Sequence, residues 1–228
     1  MPEVIFAGPE GRLEGRYHPP DDPAAPCALI LSPHPKAGGH MDHRIPVAMY
    51  EQYKARGFAV LRFNFRGIGR SVGTYGNGQG ELQDAAYALD WMQSFNQSAP
   101  FAWVSGYSFG AWISMQLLMR RPEVAGFISM SLPTNIYDFA FLAPCPASGL
   151  VTYGTEDAIV PANDVDCVVD KIRVQKGKNI TTCPIKGADH FYKDQYLEVA
   201  MDVIDKYLDE HLDPRYCPPR EPRLLKTG

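Results

Sequence analysis

Short apolar runs and longer segments with apolar residues at helical spacing alternate along most of this chain. A continuous apolar run such as Cys27–Leu31 is typical of a strand that is covered on both faces. The predicted strands of this kind are Cys27–Leu31, Phe58–Phe65, Phe101–Val104, Phe127–Met130, Gly149–Tyr153 and Ile180–Pro184. The predicted helices are Met41–Arg56, Glu81–Phe95, Ala111–Met119, Asn163–Gln175 and Tyr192–Leu212. This alternation predicts an α/β fold, with a mostly parallel twisted sheet and helices on both faces.

The two ends of the chain depart from that alternation. Val4–Phe6 and Leu13–Tyr17 flank the turn-forming residues 8–11, which predicts an N-terminal β-hairpin. Residues 1–212 therefore form one predicted domain, and residues 213–228 form a tail that is rich in proline and arginine.

The tail has too little apolar content to order itself alone, so we expect it to pack against another surface. One possibility is a second subunit of a homo-oligomer, with Tyr216, Leu224 and Leu225 as apolar anchors. Packing on its own domain is the alternative, and the sequence does not decide between them.

Composition limits the classes of partner. The chain has 228 residues and a formal net charge of -4, so it lacks the basic surface that nucleic-acid binding requires. It contains no run of about 20 apolar residues, so we expect no membrane span. The five cysteines are scattered and lack C-x-x-C spacing, which favours reduced thiols and a cytoplasmic location.

The most informative motif is Gly106–Gly110, with the sequence G-Y-S-F-G. It lies between the predicted strand Phe101–Val104 and the predicted helix Ala111–Met119. A serine in a tight turn between a strand and a helix is a nucleophile elbow, in which glycines prevent steric clashes around the strained serine. Ser108 is therefore the predicted nucleophile.

A serine nucleophile needs a general base and an acid that orients that base. His190 follows the last predicted strand, and Asp157 follows the strand Gly149–Tyr153. Because open α/β sheets build their sites at the carboxyl ends of strands, we predict a Ser108, His190 and Asp157 triad. Glu156 and Asp189 are nearby carboxylates and remain alternatives for the acid.

The developing oxyanion also needs backbone N–H donors. The amide of Phe109, directly after the nucleophile, is the first predicted donor. The second is expected in the loop after Cys27–Leu31, where Pro35 has no N–H. Lys36 is therefore the predicted second donor, with Ala37 as the next candidate.

Taken together, these motifs resemble the α/β-hydrolase superfamily, and within it the small bacterial dienelactone-hydrolase-like proteins. The resemblance rests on the elbow, the Asp157 loop and three further segments, Pro33–Pro35, Arg62–Ser71 and Gly187–Phe191, and it spans residues 4–212. It implies the α/β-hydrolase fold and the chain order of serine, acid and histidine. One departure is Ser108, because true dienelactone hydrolases use cysteine, and this difference favours a serine esterase.

Only Leu132–Ala147 separates two of the predicted strands, which is too short for a cap domain. An open cleft favours a carboxylesterase that acts on a small-molecule ester with a short or medium acyl chain. A thioesterase, a peptidase or a non-catalytic binding module of the same fold are the alternatives. The aromatic residues expected to wall an apolar acyl pocket, or simply to cover the sheet edge, are Tyr107, Tyr137, Phe139, Phe141 and Phe191.

No cofactor or metal is expected. The segment Gly67–Gly73 partly imitates a dinucleotide fingerprint, but its third glycine is one residue late and no helix follows. His34, His40 and His43 lie close in sequence, but only Asp42 is available to complete a ligand set. We therefore expect His34 to be structural.

Overall fold

One sheet of eight strands runs through the protein. The computed structural model describes residues 3–142, 145–173 and 179–217. The strands are β1 (Glu3–Gly8), β2 (Gly11–His18), β3 (Cys27–Leu31), β4 (Ala59–Phe63), β5 (Ala102–Tyr107), β6 (Val124–Met130), β7 (Ser148–Gly154) and β8 (Ile180–Ile185). The α-helices are α1 (Arg44–Lys54), α2 (Gln79–Phe95), α3 (Phe109–Leu118), α4 (Ala162–Ile172) and α5 (Tyr196–His211).

The strands are ordered β1-β2-β4-β3-β5-β6-β7-β8 in the sheet. The hairpin β1–β2 and the pair β2–β4 are antiparallel, and all other neighbouring strands are parallel. This arrangement confirms the predicted N-terminal hairpin and the mostly parallel sheet. The carboxyl ends of β3, β5, β7 and β8 therefore meet at one edge.

Both faces of the sheet are covered, as the apolar runs predicted. All five residues of β3 are buried, and they alternate between two apolar clusters. Cys27, Leu29 and Leu31 pack on the side that carries α2, α3 and α4. Ala28 and Ile30 pack on the side that carries α1 and α5. No helix among the described residues is long and apolar enough to cross a bilayer.

Two helices begin later than the sequence predicted. The first was expected from Met41, but His43 is extended, with φ -62° and ψ 143°, and its side chain caps the helix that begins at Arg44. The last was expected from Tyr192, but Tyr192 and Asp194 have φ values of 48° and 53°. Such left-handed backbone cannot continue a helix, so α5 begins only at Tyr196.

The connection between β6 and β7 is short. Residues 131–147 span it, and their described part contains only a 3₁₀ turn, Ala140–Leu142. Within residues 3–142 and 145–173 there is no cap domain in this connection, so the carboxyl edge of the sheet is not roofed by an inserted unit.

The described part of the C-terminal tail packs on its own domain. Tyr216 lies in the 3₁₀ turn Pro214–Tyr216 and is 7% exposed. Its ring meets those of Phe58 and Phe101 at centroid distances of 5.8 and 6.4 Å. Tyr216 is thus an intramolecular contact, as in the alternative in which the tail packs on its own domain. The other two predicted anchors, Leu224 and Leu225, lie outside the described residues.

A buried ion pair fastens the loop after β4 to α2. Arg66 donates to Asp84 from its backbone N and its Nε, both at 3.0 Å, and from Nη2 at 2.8 Å. The two side chains are 2% and 1% exposed. Arg66 also pairs with Glu10 in the hairpin turn, so one guanidinium holds three segments together.

We expect Asp84→Ala to lower the free energy of unfolding by about 3 kcal/mol or more, because it removes the main partner of a buried guanidinium. Asp90→Ala is the matched control. Asp90 pairs with Arg121 at the surface and is 60% exposed, so its loss should cost less than about 1 kcal/mol. Urea denaturation of both variants measures the difference. Equal losses would contradict this view of the Arg66 and Asp84 pair.

Candidate active site

The predicted elbow is formed between β5 and α3. Ser108 has φ 53° and ψ -117°, a strained conformation that places it alone at the apex of the turn. A Cβ atom at Gly106 would lie 2.3 Å from the carbonyl carbon of Gly110. A Cβ atom at Gly110 would lie 2.3 Å from the carbonyl oxygen of Leu31. Both glycines are therefore sterically required.

The structure brings Ser108, His190 and Asp157 together. Ser108 Oγ lies 3.2 Å from His190 Nε2, and His190 Nδ1 lies 2.7 Å from Asp157 Oδ2. The side chains of His190 and Asp157 are 7% and 0% exposed. The backbone amides of Ile159 and Val160 donate to Asp157 Oδ1 at 2.9 and 2.8 Å, so both carboxylate oxygens are engaged.

His190 Nδ1 pairs with Asp157 and not with either of the alternative carboxylates. Glu156 is exposed, and its backbone N donates to the Ala188 carbonyl oxygen. Asp189 pairs with Lys193 at 3.0 Å and accepts a hydrogen bond from the Phe191 amide. Geometry therefore selects Asp157 from the three carboxylates that the sequence left open.

The loops after β7 and β8 are joined to each other. Glu156 N donates to the carbonyl oxygen of Ala188 at 3.0 Å, and Gly187 N donates to Thr155 Oγ1 at 2.9 Å. A Cβ atom at Gly154 would lie 2.1 Å from the carbonyl oxygen of Ala188, so this approach requires glycine. The acid and the histidine are consequently held by one connected piece of backbone.

Of the two predicted oxyanion donors, the Phe109 amide is free of a partner within its helix and the Lys36 amide is not free. Phe109 is the first residue of α3, where the amide has no partner within the helix. The Lys36 amide instead donates to His34 Nδ1 at 3.1 Å, because His34 caps the 3₁₀ turn Pro35–Ala37. The Ala37 amide donates to the His34 carbonyl at 3.0 Å. The prediction of Lys36 as a donor is therefore wrong, and Ala37 is engaged as well.

A cleft of about 400 Å³ opens above Ser108. Three of its walls are exposed apolar side chains, namely Ile136, Ile159 and Phe191, which are 56%, 42% and 46% exposed. The full lining consists of Pro33, His34, Ala37, Gly38, Gly39, His43, Tyr107, Ser108, Phe109, Pro133, Ile136, Tyr137, Ile159, His190 and Phe191. No carboxylate is among these lining residues.

Comparison with known proteins identifies the family of this chain. Residues 14–163 match the family model of the X-Pro dipeptidyl-peptidases, the S15 family. The chain belongs to this family of α/β hydrolases.

The alignments with two similar proteins extend over nearly the whole of this chain. An uncharacterised protein from Rickettsia prowazekii (strain Madrid E) is 46% identical over 209 residues, which are 90% of this chain and 88% of the relative. A protein of unknown function from Agrobacterium tumefaciens, suggested to be an α/β hydrolase, has a crystal structure. Its sequence is 51% identical to that of this chain. Its TM-score is 0.91, and the match covers 96% of this chain and 100% of that chain.

An α/β serine hydrolase homologue from Coxiella burnetii is 29% identical, with a TM-score of 0.83. That match covers 91% of this chain and 97% of the homologue. These matches show that this chain is a serine hydrolase of the α/β fold.

The predicted pocket residues of the hydrolase divide into two groups. Tyr107, Tyr137 and Phe191 line the cleft beside Ser108. Phe139 and Phe141 do not, and their prediction as walls of this cleft is wrong. Their rings stack on each other at 6.0 Å, and Phe139 is 4% exposed in the apolar cluster under α3. The 3₁₀ turn at residues 140–142 directs this segment toward the core.

Two tyrosines support the histidine loop of the hydrolase in ways that the sequence did not indicate. Tyr107 Oη donates to the His190 carbonyl at 2.9 Å, so this predicted pocket residue also holds backbone. Tyr192 is fully buried, and its Oη donates to the Thr152 carbonyl at 3.3 Å. The only sequence signal was that Tyr107 directly precedes Ser108 and that Tyr192 lies two residues after His190.

Two further histidines line the cleft of the hydrolase. Burial lowers the pKa of the His34 imidazole and of the His43 imidazole, and for His43 the neighbouring His40, Arg44 and His190 lower it further. Because His34 Nδ1 accepts from Lys36, its proton lies on Nε2 and faces Tyr75 Oη at 3.1 Å. Among the described residues, no cluster of three or more potential ligands is placed to hold a metal ion.

We expect Asp157→Asn to lower kcat about 10⁴-fold, because the amide no longer holds the imidazole in the required tautomer. Glu156→Gln is the matched control, since it alters the adjacent carboxylate, which is exposed. Steady-state hydrolysis of an activated ester measures both variants. An active Asp157→Asn enzyme together with an inactive Glu156→Gln enzyme would assign the acid to Glu156 instead.

Proposed function

We propose that this protein is a carboxylesterase that cleaves esters with short or medium acyl chains through an acyl-enzyme on Ser108. The proposal rests on the composition of the cleft. Its walls are apolar and aromatic, and its polar side chains are those of Ser108, Tyr107, Tyr137 and three histidines. Such a surface favours an uncharged chain attached to the reacting carbonyl.

The proposed reaction begins when Ser108 Oγ attacks the ester carbonyl carbon and His190 Nε2 takes the hydroxyl proton. Asp157 accepts the Nδ1 hydrogen bond and stabilises the imidazolium that forms. The carbonyl π electrons move to oxygen, and the resulting oxyanion is stabilised by backbone N–H groups. When the tetrahedral intermediate collapses, the alkoxide leaves with the proton from His190 and the acyl-enzyme remains.

Water then completes the cycle. His190 takes one proton from water, and the hydroxide oxygen bonds to the acyl carbon. Collapse of the second intermediate breaks the bond to Ser108 Oγ, which regains its proton from His190. One ester and one water thus give one carboxylic acid and one alcohol.

Phe109 and His34 are the proposed oxyanion donors. The Phe109 amide is at the first position of α3, where the partial positive charge of the helix adds to the N–H. In the loop after β3, the amides of residues 36–39 donate within the loop. His34 lines the cleft, and its amide donates to no acceptor among the described residues.

Cleavage of X-Pro peptides is the second candidate, because the family model carries that activity in its name. A dipeptidyl-peptidase must bind the charged amino terminus of its substrate. A desolvated ammonium group needs a carboxylate partner, and the described residues that line this cleft include no carboxylate. This observation favours an ester over a peptide substrate. A thioester would meet the same groups as an ester.

A reducing compartment such as the cytoplasm is the proposed location. It is supported by the thiols of Cys27, Cys167 and Cys183, which form no disulfide.

The test is a substrate panel with matched leaving groups. We expect kcat/KM for butyryl-p-nitroanilide to exceed that for alanyl-prolyl-p-nitroanilide by at least about tenfold, because both substrates lose p-nitroaniline and only the dipeptide brings an unpaired ammonium into the cleft. p-Nitrophenyl butyrate, the ester with the same acyl group, should be hydrolysed fastest. S-p-Nitrophenyl thiobutyrate, which carries no charged group, measures the thioester alternative. A preference for the dipeptide substrate would overturn the proposal in favour of a peptidase.

Ser108→Ala is the control for this panel. Its kcat should fall by about 10⁴-fold or more, with an unchanged melting temperature. A fluorophosphonate probe should label the wild type and not the variant. A wild type that neither labels nor turns over any substrate would support a non-catalytic module of the same fold.

A further inference from the structure

A second cavity lies beside the cleft. Its volume is about 460 Å³, compared with about 400 Å³ for the cleft itself. It lies between the β6–β7 connection and α4, and its lining consists of Thr134, Tyr137, Asp138, Phe139, Ala140, Val168, Lys171 and Ile172. Tyr137 is the residue that lines both spaces.

The Tyr137 ring is held in place by its neighbours. It stacks on the Trp112 ring with centroids 4.0 Å apart and planes at 10°. It also meets the Phe109 ring edge-on at 6.1 Å. Phe109 directly follows the nucleophile, so the position of Tyr137 is tied to the elbow through two aromatic contacts. A ring fixed in this way acts as a wall rather than as a mobile side chain.

The second cavity offers apolar surface behind that wall. Phe139 and Ile172 are buried, and Val168 is half-buried. Asp138 and Lys171 are exposed, so the charged groups of this cavity remain in contact with solvent. Burial also raises the pKa of Tyr137 to about 12, so the ring that separates the two spaces stays uncharged even well above neutral pH. An alkyl chain that passed Tyr137 would therefore meet apolar side chains.

We propose that Tyr137 determines acyl-chain length, because its ring closes the cleft against the second cavity. This inference rests on the proposed esterase function and deepens it. With the ring in place, a short acyl chain ends inside the cleft. Without the ring, the two spaces join, and a chain of eight to ten carbons gains contacts with Phe139, Val168 and Ile172.

The test compares p-nitrophenyl butyrate with p-nitrophenyl decanoate. Tyr137→Ala should raise the ratio of kcat/KM for decanoate to kcat/KM for butyrate at least about tenfold, since each newly buried methylene adds about three- to fourfold. Tyr137→Phe keeps the ring and should leave this ratio unchanged. Tyr137→Leu, which keeps an apolar side chain on Trp112, should give a smaller gain and serves if the alanine variant does not fold.

A second substitution tests where the acyl chain of the substrate lies. Val168→Phe fills the second cavity without altering a residue that lines the cleft, and in the Tyr137→Ala background it should abolish the gain with decanoate. A gain that persists in the double variant would overturn the proposal, because the chain would then lie elsewhere. So would an equal change for butyrate and decanoate in Tyr137→Ala.

Two further measurements separate this inference from the proposed function. Acetate esters of butanol and decanol test the alcohol side, and a shift confined to these esters would overturn the assignment to the acyl chain. Inactivation by p-nitrophenyl butyl- and decylphosphonates requires a reactive serine but no ester turnover. If esters were not hydrolysed, the proposed function would fail, but the ratio of the inactivation rates by the decyl and the butyl phosphonate would still test the inference. A tenfold higher ratio in Tyr137→Ala than in the wild type supports the inference, and an unchanged ratio overturns it.

Discussion

The close approach of three backbone segments underlies the rest of this site. β5 turns into α3 so tightly that Gly106 nearly touches Gly110, and Gly110 in turn lies against the carbonyl of Leu31 at the end of β3. Because no side chain fits at either glycine, the end of β3 lies directly beside the first turn of α3. Ser108 is thereby raised to the apex, and the loop after β3 becomes one wall of the cleft.

The parallel sheet supplies the other half of the site. β7 and β8 end at the same edge as β5, and this places Asp157 and His190 opposite the elbow. The sheet can do this because its central strands are apolar on both faces and are fixed by helices on each side. Core packing therefore determines how far the histidine stands from the serine.

The order of elements and the serine, acid and histidine positions could be predicted because they follow from strand ends, which apolar runs mark clearly. The failures concern side-chain and turn geometry. Lys36 was misassigned because the capping role of His34 depends on its rotamer, and Phe139 was misassigned because a 3₁₀ turn sets its direction. The sequence could not decide between a subunit contact and an own-domain contact for Tyr216, because its aromatic partners are distant in sequence.

The hydrogen bonds that join the loops after β7 and β8 divide the catalytic machinery into two mechanical parts. Asp157 and His190 belong to one part, braced through Thr155, Glu156 and Gly187 without help from Ser108. The serine belongs to the other part, and the two parts meet at the 3.2 Å contact between Ser108 and His190 and at the hydrogen bond from Tyr107 Oη to the His190 carbonyl. An acid–base pair that is assembled independently can serve whatever nucleophile occupies the apex. Exchange between serine and cysteine chemistry at that position then requires no rebuilding of the base.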